Sequence, residues 1–187
     1  MKQILFILLL CIGLSASSQC VSNQSSTLTP AGPYSPGQVV TVNYTLGTFT
    51  QVNINWIIAF QINLGAGWTN LTPVIAPVGG GTQGGYWLWD IQNTFPSGLN
   101  FGPGWRFVNT GWNPDWGSSS TGPFTMSFNV TVAQTCTADN LSISMNVFGD
   151  CLTGGWNNGA CCTDPAYNIY NGAVQLPLIT TSNINHF

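Results

Sequence analysis

The chain has 187 residues, 44% apolar and 12% aromatic, yet only 4% are charged and the formal net charge is −3, where ordinary soluble domains carry roughly 25% charged residues. Beyond residue 18 there is no Lys and no Glu, and the only basic side chain, Arg106, stands against five Asp. One Arg cannot neutralise a phosphate backbone, which excludes nucleic acid as a partner, and the lone His186 leaves no base for a nucleophilic triad.

Met1-Lys2-Gln3 followed by the apolar run Ile4 to Leu14 is a basic tip on a stretch too short for a comfortable bilayer span. Residues 1–18 read as a secretory signal peptide, with Ala16 and Ser18 placing cleavage after Ser18. No later stretch is apolar for long enough to cross a membrane, so the expectation is a secreted, extracellular protein without a membrane span. Five cysteines follow the signal: Cys20, Cys136, Cys151, Cys161 and Cys162. Outside the cell thiols oxidise, so disulfides are expected among them, the pairing open and one cysteine unpaired or modified. Cys20 has three readings: a lipidated N-terminus, which Gln19 at the cleavage position disfavours, an intermolecular or free thiol, or a bridge within the domain. Adjacent Cys161 and Cys162 should reach different partners, because a bond between neighbours is strained. With no CxxC pair and a single His, neither a metal site nor a cofactor is expected.

Residues 19–30 are polar, lack a full strand pattern and read as an N-terminal arm. From 31 to 175 apolar and polar residues alternate and no helical period survives. Strands are expected at Val40 to Tyr44, Val52 to Ile62, Trp68 to Ile75, Tyr86 to Ile91, Trp105 to Val108, Phe124 to Val132, Leu141 to Phe148 and Tyr167 to Val174. In the second of these, Val52, Ile54, Trp56, Ile58, Phe60 and Ile62 share one face, while Ile57 and Ala59 make the other apolar too, so both faces should be covered. Phe124, Met126, Phe128, Val130 and Val132 oppose Thr125, Ser127, Asn129 and Thr131, the pattern of a half-buried strand. Turn signals such as Ser35-Pro36-Gly37, Gly102-Pro103-Gly104 and Asn113-Pro114-Asp115 separate the strands. The expected fold is all-β, an antiparallel β-sandwich of immunoglobulin-like or jelly-roll-like form with about eight strands. Residues 176–187 read as a C-terminal arm, and either arm could add a strand to a neighbour's open sheet edge.

Tyr34-Ser35-Pro36-Gly37, Asn55-Trp56 with Gly67-Trp68, and Phe101-Gly102-Pro103-Gly104-Trp105 form a series that continues through Phe148-Gly149-Asp150, Gly155-Trp156 and Cys162-Thr163-Asp164-Pro165. In that order the series resembles a β-sandwich domain, often repeated, of large secreted surface proteins of Bacteroidota, including adhesin-like proteins of gliding bacteria. The resemblance implies extracellular surface work and supplies no catalytic residues. Such relatives usually end in a sorting domain for type IX secretion, whereas here a junction-like Gln175-Leu176-Pro177-Leu178 is followed by only a short tail to Phe187.

Two carboxylate readings are open. Asp90, among Tyr86, Trp87 and Trp89, could belong to a catalytic pair, although an exposed or loop-bonded Asp is the simpler reading. Asp150 and Asp164 flank the cysteine-rich stretch and could hold Ca²⁺, but no spaced acidic loop supports it. Tryptophan is the larger excess, eight in all, four of them directly after Gly. Trp112, Asp115 and Trp116 fall in the turn-rich stretch 110–122 and, with Trp156, are the candidate ligand-binding residues for a surface glycan. Eight indoles also fill a sandwich interior well. Low charge removes the repulsion that keeps neighbouring molecules apart. The leading expectation is therefore a non-enzymatic extracellular protein, adhesin-like or a filament or surface-layer subunit at the cell surface, self-associating through strand edges or terminal arms. The alternative is a carbohydrate-binding module using the exposed Trp of the 110–122 loop.

Overall fold

The computed structural model describes residues 20–50, 55–78, 84–92, 94, 98, 100–134, 140–150 and 164–174. Nine strands run through them: β1 (Val21–Thr29), β2 (Val39–Phe49), β3 (Ile57–Leu64), β4 (Trp68–Ile75), β5 (Tyr86–Asp90), β6 (Gly104–Val108), β7 (Phe124–Val132), β8 (Ile143–Gly149) and β9 (Tyr167–Tyr170). They form a four-stranded sheet, β1-β2-β7-β4, and a five-stranded sheet, β5-β6-β3-β8-β9, in which every pairing is antiparallel. This is the expected all-β antiparallel sandwich, one strand richer than anticipated.

The two inner faces meet through aromatic rings. Phe60 of β3 touches Tyr44 of β2 at a centroid distance of 6.3 Å and Phe124 of β7 at 5.9 Å, while Trp105 of β6 reaches Phe128 of β7 at 6.4 Å. Rings of this size bury much apolar area and gain about 0.5–1.5 kcal/mol per well-oriented pair beyond it. The alternation in β7 works as its residues dictate: Phe124, Met126, Phe128, Val130 and Val132 all face the core. Turn chemistry holds as well, since Gln38 N–H donates to Ser35 O at 3.1 Å across Pro36-Gly37, with Gly37 at φ 77°.

Residues 21–29, read as part of an arm, instead form β1, paired with β2 from Val21↔Phe49 to Thr29↔Thr41. Two of its inward side chains, Gln24 and Ser26, are polar, and Gln24 accepts the Tyr44 hydroxyl, while Val21 and Leu28 pack with the core. An edge strand needs no apolar run when its inner face covers only the rim of a sandwich. In β3 the expected common face also breaks. Ile57, Phe60 and Ile62 join the inter-sheet core, whereas Ile58 and Ala59 lie with Phe101 and Phe148 on the outer side. The register against β8 shifts between Ile57 and Ala59, and a bulge of this kind turns the following side chains over. Both faces are covered, as the apolar Ile57 and Ala59 required.

Cys20 is the only cysteine among the described residues, so no Sγ–Sγ pair and no pairing scheme lies within them. Cys20 does not titrate, being itself half of a disulfide; it is buried, and its Sγ accepts from Asn55 Nδ2 at 3.7 Å. Cys136, Cys151, Cys161 and Cys162 lie outside the described residues, as do Trp156, His186 and the stretches 1–18 and 176–187 that were expected to be a signal peptide and a C-terminal arm.

The two flanks differ. On one, β1 approaches β9, and Asp164 Oδ2 accepts the N–H groups of Cys20 at 2.7 Å and Val21 at 2.9 Å, tying the sheets together. The sheet orders place the other two edges, β4 and β5, on the opposite flank.

Candidate functional site

The 110–122 stretch leaves β6 beside β5, since Val108 pairs with Tyr86. Its path is set by short-range hydrogen bonds. Buried Asn109 turns the chain with Oδ1, which accepts Gly111 N–H at 3.0 Å and Trp112 N–H at 2.9 Å. Next, Asn113-Pro114-Asp115 forms the expected turn: Trp116 N–H donates to Asn113 O at 2.9 Å, and Asp115 N–H to Asn113 Oδ1 at 3.0 Å. The far end is anchored where Ser118 N–H donates to Ile57 O at 2.7 Å and Gly117 N–H to the buried Asp150 Oδ2 at 3.2 Å. Only Gly fits at 117, where a Cβ would lie 2.5 Å from Ile57 O.

On this frame Trp112 is 65% exposed, its ring centroid 5.0 Å from that of Trp116 at an interplanar angle of 37°. Trp116, half-buried, in turn sets its ring edge-on to Trp56 at 6.1 Å and 82°. Of the four residues marked as ligand-binding from sequence, the structure thus brings together Trp112, Asp115 and Trp116, while Trp156 is outside the described residues.

The flank opposite β1 and β9 presents a different surface. Tyr86, Leu88 and Ile91 are exposed on and after β5, at 52%, 37% and 69%, and Val74, Ile75 and Val78 are exposed on and after β4. No described strand pairs with the outer edge of β5 or of β4. The β4 edge is irregular, with Pro73 and two register shifts, whereas β5 pairs with β6 in unbroken register from Tyr86↔Val108 to Asp90↔Gly104. A shallow open cavity of about 440 Å³ lies between Thr69–Leu71 of β4, Ile62–Leu64 of β3, Ile91 and Pro103. Sequence reasoning missed this flank, although Tyr86 and Leu88 are large apolar residues at positions that alternation sends away from Trp87 and Trp89.

The remaining carboxylates hold structure. Asp90 accepts Gln92 N–H at 2.8 Å and Thr94 N–H at 3.2 Å and lies 3.5 Å from Arg106 Nε, the loop-bonded reading. Asp150 and Asp164, weighed for Ca²⁺, spend their oxygens on backbone N–H groups of residues 20, 21, 56 and 117. Among the described residues no three His, Cys, Asp or Glu side chains converge to hold a metal ion, and no helix is long and apolar enough to cross a membrane.

Among the described residues the fold and these surfaces define an antiparallel β-sandwich with β1 against β9 on one flank, the unpaired outer edges of β4 and β5 on the other, and an exposed tryptophan loop. No family model, no curated protein and no solved structure matches the chain.

Proposed function

We propose that this chain is a secreted, non-catalytic β-sandwich protein that works at the cell surface by contact, associating with copies of itself edge to edge through β5 as the unit of a filament or surface layer. The observation that carries the reading is the β5 edge. It is regular, free of Pro, unpaired by any described strand, and flanked by exposed Tyr86, Leu88 and Ile91. Sandwich proteins usually blunt such an edge with a bulge, a Pro or a Lys. β4 carries Pro73 and two register shifts, and β9 is four residues long and lies against β1. β5 has none of these.

Two β5 edges meeting antiparallel about a two-fold axis would join two five-stranded sheets into one and bury Tyr86 and Leu88 from both copies. Little charge opposes the approach, because Asp90 lies beside Arg106, the only Lys or Arg among the described residues. The signal peptide expected at residues 1–18 and the motif order that resembles Bacteroidota surface domains belong to the same adhesin-like, extracellular reading.

The test compares wild type with Leu88→Lys by size-exclusion chromatography with light scattering. A charge at this half-exposed position should leave the melting temperature nearly unchanged and hold the protein as a monomer while wild type associates. Equal association of the two proteins would remove β5 from the account.

A further inference from the structure

Independently of the β5 edge, we propose that the outward face of Trp112, backed by Trp116 and rimmed by Asn113 and Asp115, binds the ring of a neutral hexopyranose.

The indole is held in place before any ligand arrives. Asn109 Oδ1 fixes the Trp112 backbone N–H at 2.9 Å, the Asn113 turn fixes that of Trp116, and Asp150 with Ile57 O fixes the exit of the loop. A binding surface of this kind loses little chain entropy on association. Trp112 could have been covered by its own loop, and yet it stays 65% exposed.

The geometry selects the ligand class. One face of Trp112 is taken by Trp116 at 5.0 Å, and the pair is too close to admit anything between the rings. A single flat face remains. An ammonium group is favoured where several aromatic faces converge on it, and a Pro-rich peptide where aromatic rings form a groove; a closed pair offers neither. A nucleotide would bring phosphate to a loop that has Asp115 and no Lys or Arg. An uncharged pyranose suits both parts of the site. The C–H face of the sugar lies on the electron-rich indole, and its hydroxyls meet the amide of Asn113 and the carboxylate of Asp115, a charge-assisted acceptor.

The experiment titrates the secreted full chain with cellohexaose, mannohexaose and maltohexaose, following tryptophan emission and heat of binding, with a Pro-rich decapeptide as a parallel ligand. At least one oligosaccharide should quench and blue-shift the exposed-Trp emission. Trp112→Ala should weaken that sugar by up to about tenfold, the loss of one stacking contact, at an unchanged melting temperature, and Trp112→Phe should retain part of the affinity. Asp115→Asn should weaken binding without removing the spectral shift. No response to any of the three sugars at millimolar concentration overturns the proposal. So does undiminished sugar binding by Trp112→Ala, or a Trp112-dependent response to the peptide alone.

Discussion

Asp150 and Trp56 hold each other by two hydrogen bonds: Trp56 N–H donates to Asp150 Oδ1 at 2.8 Å, and Asp150 N–H donates to Trp56 O at 2.7 Å. The other carboxylate oxygen takes Gly117 N–H, so one side chain with no solvent exposure ties the start of β3, the end of β8 and the exit of the tryptophan loop. Hydrogen bonds to a charged group contribute about 1.5–3 kcal/mol each. Asp150→Ala should therefore cost about 3 kcal/mol or more, read as a lower denaturant midpoint. It should also change the Trp112 emission, because the loop loses its anchor. A midpoint within experimental error of wild type would show that the junction is held by other contacts.

Gly149 sits in the same junction, where an added Cβ would lie 1.9 Å from Asn55 Oδ1. Asn55 is buried and donates to Cys20 Sγ, so it has little room to move. Overpacking of this kind costs about 1–3 kcal/mol, and Gly149→Ala should lower the melting temperature accordingly. Relief by Asn55→Ala in the double variant would identify the clash as the cause.

Residues 19–30 should not be removable as a tail. Their deletion strips β1 from β2, leaves the Tyr44 hydroxyl without Gln24 and removes Val21 and Leu28 from the core. The truncated chain should bind a hydrophobic dye and melt well below the full chain. A truncation that melts with the full chain would contradict the edge-strand role.

Alkaline pH should weaken the fold. Burial, with a smaller contribution from Tyr167, raises the Tyr44 phenol well above its ordinary value, and burial, then Tyr170, raises Tyr34. The unfolded chain releases these protons near pH 10 while the folded chain keeps them. The stability they contribute is thus complete below about pH 10 and is lost as pH rises through the folded values, by at most about 1.4 kcal/mol per pH unit for Tyr44. Urea midpoints from pH 7 to 11 should be level at first and then fall. Tyr44→Phe should flatten the fall, at a cost of about 1 kcal/mol at neutral pH from the lost Gln24 bond.

Beyond residue 18 trypsin has one site, Arg106. It lies in β6, paired with Leu88 of β5 on one side and Ala59 of β3 on the other, so the native backbone cannot enter a protease cleft. Cleavage should track opening of the five-stranded sheet and accelerate with denaturant in step with unfolding. Rapid cutting in buffer alone would show that β5 and β6 open separately from the rest.

Where a residue's environment repeats along a strand, its burial was legible in the sequence. The alternation from Phe124 to Val132 could be read directly. β1 could not, because Gln24 and Ser26 take inward positions where a reader expects apolar residues. The bulge in β3 was hidden for a different reason: Trp56 through Phe60 are apolar without interruption, so nothing in their order shows where the faces exchange. At the candidate site, the turn chemistry of Asn113-Pro114-Asp115 announced a loop, but the closure of Trp112 onto Trp116 depends on Asp150, 33 or more residues away, and on Trp56. The motifs Asn55-Trp56 and Phe148-Gly149-Asp150 stand far apart in the sequence. They are the two halves of one buried junction.

The central claim, association through an unblunted strand edge, is tested most directly by negative-stain electron microscopy of the signal-free protein across a concentration series, with light scattering on the same samples. The account predicts regular paired particles or longer polymers whose share grows with concentration and which Leu88→Lys abolishes. A monomer at every concentration would contradict it.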